Sequence, residues 1–142
     1  MPRILAIDYG TKRVGLAVTD PQGIIANALE TVPSHEVMNY LERYLQKEEI
    51  KSFVIGDPKT LGNTDSETSK LVHTFATALK KKFPHIPIHL IDERFTSLMA
   101  QRSLIESGQS KKTRRDKTVL DKVSATILLQ SYLDQQKFKN IL

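Results

Sequence analysis

Residues 4–18 read Ile4-Leu5-Ala6-Ile7-Asp8-Tyr9-Gly10-Thr11-Lys12-Arg13-Val14-Gly15-Leu16-Ala17-Val18. The first four form a continuous apolar run, the pattern of a central strand covered on both faces. The run ends at Asp8. Tyr9 to Arg13 reads as a turn in which Gly10 is free to take a positive φ. Val14 to Val18 then reads as a second strand.

Outward from this hairpin, Asp20-Pro21-Gln22-Gly23 is a second turn and Ile24 to Val32 a third strand, so the chain opens as an antiparallel meander. The period then changes. Ser34 is placed to cap a helix with Val37, Met38, Leu41, Tyr44 and Leu45 on one face. Ser52 to Gly56 is a short buried strand, followed by a polar loop from Asp57 to Asn63. Thr64 and Glu67 have capping-box spacing ahead of the stripe Leu71, Val72, Phe75, Ala76 and Leu79, and Pro84 stops that helix. Ile86 to Ile91 is a fifth strand. Leu98 to Ile105 fits a further helix with Gly108 as its C′ residue. Gln109 to Lys117 is polar and basic, and a last helix runs from about Thr118 to Phe138. The order β-β-β-α-β-α-β-α-α predicts an α/β fold: a mixed five-stranded sheet with helices on both faces and right-handed parallel crossovers. With no repeat or linker, residues 1–142 are expected to form one domain.

Composition narrows the function. The 142 residues carry 21 Lys and Arg against 16 Asp and Glu, a formal charge of +5, which favours polyanionic partners. Cysteine is absent, which excludes disulfides and thiolate zinc sites. Aromatic residues are 6% of the chain, with no Trp, too few for an extended base-stacking platform. No apolar stretch approaches the length of a membrane span, and the run at Ile4 is too short for a signal-peptide core. A soluble cytoplasmic protein is expected, with no membrane partner.

Acids stand at the ends of three elements with apolar faces. Asp8 closes the first strand. Asp92 and Glu93 close the fifth, and alternation places Glu93 with Ile91 and His89. Asp121 heads a helical face continued by Ser124, Ala125, Leu128 and Tyr132. Clustered carboxylates repel one another and a cation offsets that cost. Mg²⁺ or Mn²⁺ suits oxygen ligands, and a pair of such ions can stabilise the attacking and leaving oxygens of phosphodiester cleavage. Each acid also has a plain structural role open to it: Asp8 as a turn residue, Asp92 and Glu93 as solvated loop acids, and Asp121 as half of a capping pair with Thr118.

These motifs form a set. Ile7-Asp8-Tyr9-Gly10-Thr11-Lys12-Arg13-Val14-Gly15-Leu16-Ala17-Val18 closely resembles the opening signature of the YqgF family, also called RuvX, whose members are named as Holliday junction resolvases or pre-16S ribosomal RNA nucleases. Asp92-Glu93-Arg94-Phe95-Thr96-Ser97 resembles its second signature. Lys117, Asp121, Ser124, Ala125, Leu128, Leu129 and Gln130 resemble its third. The resemblance spans nearly the whole chain, in family order. It implies an RNase H-like fold, a nuclease activity, and Asp8, Glu93 and Asp121 as the catalytic metal site. It makes Thr11, Lys12, Arg13 and Arg94 candidates for holding phosphate. One segment departs from the family pattern: Gly56-Asp57-Pro58-Lys59-Thr60-Leu61-Gly62-Asn63-Thr64 stands where the family often has Gly-Leu-Pro and an Asp-Gly-Thr turn.

Lys111, Lys112, Arg114, Arg115 and Lys117 concentrate charge just before Asp121. An isolated charge run is usually a solvated loop, but beside a metal site such an arm can neutralise phosphates without reading sequence. Lys80, Lys81 and Lys82 read as a solvated helix end, and the four histidines form no ligand pattern. The expected partner is nucleic acid, either structured RNA in 16S rRNA maturation or branched DNA. Symmetric junction cleavage needs a dimer, and the chain is expected to be a monomer or weak homodimer. Two other functions compete. The Asp-x-Gly-Thr hairpin also resembles the phosphate loop of actin, Hsp70 and the sugar kinases, but those enclose ATP between two such domains. A non-catalytic RNA- or protein-binding factor would keep the fold without needing the acids.

Overall fold

A computed structural model describes residues 2–58, 67–92 and 117–141, with backbone alone for 67, 117–122 and 138–141. The described elements are β1 (Arg3–Tyr9), β2 (Arg13–Thr19), β3 (Ala26–Pro33), α1 (Val37–Lys47), β4 (Ile50–Asp57), α2 (Glu67–Lys82), β5 (Ile88–Asp92) and α3 (Lys117–Ile141). The helix expected over Leu98–Ile105, its Gly108 cap and the capping residue Thr64 lie outside the described residues. The strands form one mixed five-stranded sheet in the order β3-β2-β1-β4-β5. β1–β2 and β2–β3 are antiparallel, and β4 pairs parallel with β1 and β5. The meander and the parallel second half both match the expectation.

Period-two alternation divides the sheet into two faces, each with its own core. Leu5, Ile7, Val14, Leu16, Phe53 and Ile55 pack with Val37 and Leu41 of α1 and Val72, Phe75 and Leu79 of α2. On the other face Ala6, Ala17 and Val54, with Ile91, pack under Ala125, Leu128, Leu129 and Leu133 of α3. The small residues on the second face let α3 lie close to the sheet. That double coverage is why Ile4 to Ile7 is apolar without alternation.

Several local expectations are corrected. β1 continues through Asp8 to Tyr9, which still pairs with Val14. Among the described glycines only Gly23 has a positive φ, at 72°. Gly10 is required for space instead: a Cβ there would stand 2.6 Å from the Arg13 carbonyl oxygen. β3 starts at Ala26, because Ile24 and Ile25 are 50% and 57% exposed and their N–H groups donate to the Asp20 carboxylate within the turn. Ser34 makes no helix cap. It opens a 3₁₀ turn, Ser34–Glu36, and its hydroxyl donates to the Thr11 carbonyl at 2.7 Å. Leu71, placed on the buried stripe of α2, is 42% exposed. Asp57, read as the start of a polar loop, is the last residue of β4 and is buried.

Candidate functional site

The parallel strands β1, β4 and β5 all run toward one edge of the sheet, where Asp8, Asp57 and Asp92 stand. Alternation puts Asp8 on the α3 face, with Ala6. Its antiparallel partner is Gly15, and the Ile7–Ile55 register carries Gly56 to its other side. Both glycines are buried and Asp8 is half-buried. Neither strand neighbour projects a side chain beside it.

The direction of α3 is fixed by its contacts. Ala125, Leu128 and Leu129 pack with Ala6 and Ala17. Tyr132 and Leu133 line a cavity with Ile4 and Ser52, near the starts of β1 and β4. The helix therefore runs antiparallel to β1, and its first turns, with Lys117 and Asp121, lie toward the Asp8 end of the sheet. The buried Ser124, Ala125 and Leu128 are the face that Asp121 was expected to head. The side chains of Lys117 and Asp121 lie outside the described residues, as do Glu93, Arg94, Lys111, Lys112, Arg114 and Arg115 entirely.

The β1–β2 loop is held in place from a distance. Ser34 bonds it twice, through its hydroxyl to the Thr11 carbonyl and through its N–H to the Lys12 carbonyl at 3.0 Å. Thr11 and Lys12 are exposed and Arg13 is half-buried. Thus the backbone of exposed Thr11 anchors the turn, and a cation at Lys12 stands a few residues from Asp8 on a loop tied to Ser34.

Does this edge suit a divalent ion? A half-buried carboxylate offers hard oxygen donors, and flanking glycines leave room for an ion that keeps part of its water shell. Among the described residues no three His, Cys, Asp or Glu side chains could hold a metal together. Asp8 fits one ligand of such a site.

On the opposite face of the same edge lies a group of residues that the sequence did not bring together. Asp57 is 3% exposed. It accepts a hydrogen bond from the hydroxyl of Ser69, and Nε2 of His73 lies 3.0 Å from its other oxygen. Ser69 and His73 are one turn apart near the start of α2, where the helix dipole favours an acid. Asp57 pairs in register with Asp92. The trio ties the end of β4, beside Asp8, to α2. Two periodic signals could have shown it: Asp57 continues the buried alternation of Phe53 and Ile55, and Ser69 and His73 have i, i+4 spacing on α2. His73 thus has a specific partner. His89 stacks on Tyr132, with centroids 5.8 Å apart. Lys82 of the basic helix end pairs with Glu42 at 3.1 Å.

No helix among the described residues is long and apolar enough to cross a membrane. Two relatives bear the provisional name of pre-16S rRNA nuclease. One, from Bacteroides thetaiotaomicron, is 48% identical over 97% of this chain and 100% of its own. The other, from Porphyromonas gingivalis, is 52% identical over 94% of this chain and 97% of its own. Among solved structures, RuvC of Thermus thermophilus in complex with a Holliday junction substrate matches with a TM-score of 0.57 at 11% identity, over 96% of each chain. The Fowlpox virus resolvase, solved with Holliday junction DNA, matches at 0.54 and 14% identity, over 94% of this chain and 98% of that one. These likenesses establish the fold as RNase H-like α/β. The family model described as RuvX, Holliday junction resolvase, matches residues 2–135, and with relatives near half identity over their full lengths, this chain belongs to the RuvX family.

Proposed function

We propose that this protein is a cytoplasmic, metal-dependent endonuclease that hydrolyses phosphodiester bonds in the precursor of 16S rRNA. The observation that carries this is Asp8, half-buried between Gly15 and Gly56 on the face over which α3 brings its first turns. The names of the relatives supply the substrate. Asp8, Glu93 and Asp121 would hold Mg²⁺ or Mn²⁺, two ions in the full site. When bound, such ions activate water and offset charge on the leaving oxygen.

The chain's own residues supply the remainder. Lys12, on the loop pinned by Ser34, and Arg13 would take phosphate oxygens next to the scissile bond, with Thr11 as a hydroxyl donor. Arg94 follows the second acid and would orient the phosphate by a bidentate contact. Lys111, Lys112, Arg114, Arg115 and Lys117 would neutralise further phosphates, which makes binding steeply salt-dependent.

A second function, cleavage of branched DNA, is favoured by the family's description as Holliday junction resolvase. It would need a homodimer presenting two sites, whereas RNA processing can proceed on a monomer. The deciding experiment incubates wild type and Asp8→Asn with precursor 16S RNA and with a synthetic four-way junction, each with Mg²⁺, Mn²⁺ or EDTA. Metal-dependent cleavage that is lost in the variant is expected, on the RNA. Cleavage of the junction alone would transfer the assignment to resolution. No cleavage of either would leave a non-catalytic binding factor, and equal cleavage by the variant would remove the mechanism assigned to Asp8.

A further inference from the structure

At the far end of α3 from Asp8, on the same face of the sheet, lies a cavity of about 340 Å³ that the nuclease chemistry does not use. That volume falls in the range of small-molecule sites, about 300–1,000 Å³. Its wall combines two cations, Lys51 and Lys137, with the stacked rings of His89 and Tyr132, the hydroxyl of Ser52 and the amide of Gln136. No carboxylate stands among the described residues that line it.

The presence of Lys51 has a structural cause. Odd-numbered residues of β4, such as Phe53 and Ile55, face α1 and α2, and strict alternation would send Lys51 there too. The β1–β4 register is broken at this point: Arg3 pairs with Ile50 and the next residue, Ile4, with Ser52. Lys51 is the extra residue of a bulge, a device that re-aims a side chain. The bulge lets Lys51 join a cavity on the α3 face.

Ammonium groups select phosphate, the ring pair offers π-surface to a base, and the amide and hydroxyl supply hydrogen bonds at a base or sugar edge. A nucleotide uses all of these, whereas an acidic peptide would leave the rings idle. Position agrees: from residue 121 to residue 132 the helix advances about 16 Å at 1.5 Å per residue. That span corresponds to about five nucleotides of a helical strand at about 3.4 Å each.

We propose that this cavity is a second nucleotide-binding subsite, which holds one nucleotide of the substrate strand several positions away from the bond cut at Asp8. It rests on the nuclease function proposed above. The site lengthens the footprint along α3 and makes cleavage depend on single-stranded or splayed sequence beyond the scissile bond.

The test compares Lys51→Glu/Lys137→Glu with a control of equal charge change on the other face, Lys47→Glu/Lys70→Glu. All four lysines are exposed, and thermal melts verify that both variants fold. Affinity for a single-stranded RNA long enough to span the face is measured in EDTA across a salt series. The cavity variant is expected to bind at least tenfold more weakly, with a salt slope shallower by about 1.4, for two single-strand phosphate contacts at about 0.7 each. The control is expected to change less than threefold. A trinucleotide titrated into ¹⁵N-labelled wild type should shift the amides of Lys51, His89, Tyr132 and Lys137. Equal loss in both variants, or no shift at those amides, overturns the subsite while metal-dependent cleavage by wild type stands. Wild type that neither binds nor cuts RNA removes both the subsite and the nuclease function.

Discussion

Replacing Ser69 with alanine tests whether the buried Asp57 trio holds the site's edge together. Ser69 is 0% exposed and Asp57 3%, so water cannot replace the lost hydroxyl. The variant leaves one oxygen of a buried carboxyl group without its donor, while His73 still holds the other. Orphaning a buried acceptor costs about 1–3 kcal/mol, more for a charged group. For a domain of this size that lowers Tm by roughly 3–10 °C. Chemical denaturation followed by far-UV circular dichroism would give the loss as a shift in midpoint at unchanged m. The double variant Asp57→Leu/Ser69→Ala removes acceptor and donor together, and should lose less than the sum of the two single changes. If Ser69→Ala falls within about 0.5 kcal/mol of wild type, the range of ordinary surface changes, the trio does not anchor β4 to α2.

Three further outcomes are expected. Gly10→Ala should destabilise by about 1–3 kcal/mol, the usual cost of overpacking, because its Cβ would meet the Arg13 carbonyl at 2.6 Å; a variant as stable as wild type would mean that the loop yields freely. Leu128→Ala, at a fully buried position under α3, should cost about 2–5 kcal/mol in equilibrium unfolding. Asp20 has its carboxyl held below the ordinary carboxylate range by the N–H of Ile25 and then that of Ile24. A depressed folded pKa gives stability that is present above the unfolded value and lost as pH falls through the folded one. Asp20→Ala should therefore lower Tm at neutral pH and match wild type once pH is below the folded midpoint; a constant gap across that range would refute this.

What was legible in the sequence was whatever depends on period and on covering layers. Ile4 to Ile7 announces a doubly covered strand, and Val37, Leu41, Val72, Phe75 and Leu79 announce helices by spacing alone; all are buried as expected except Ile4, which is half-buried. Asp8 was legible as a candidate because an acid ended an apolar run within a family signature. What was hidden depends on partners distant in sequence. Ser34 looks like a cap until Thr11 is seen beside it. Asp57 looks like a loop acid until Ser69 and His73 close over it. Lys51 lies outside the strand read from the sequence, and its direction appears only once the β1 register is known. Gly10 has two physical reasons to be glycine, and only the geometry of Arg13 distinguishes them.

The way α3 closes the second core has a kinetic consequence. β1, β2 and β3 are neighbours in sequence and can pair early, since closing short loops costs little entropy. Almost the whole chain separates Ala6 from the Ala125 that packs on it, so α3 docks across the longest loop in the fold. On this hypothesis the sheet matures first, and the first turns of α3 reach the Asp8 edge late, in the same event that seals the second hydrophobic core. A partly folded chain then carries Asp8 on a formed hairpin before α3 covers that face of the sheet. Pulsed hydrogen exchange during refolding should protect the amides of β1 and β2 before those of α3, and simultaneous protection would argue for a single concerted step.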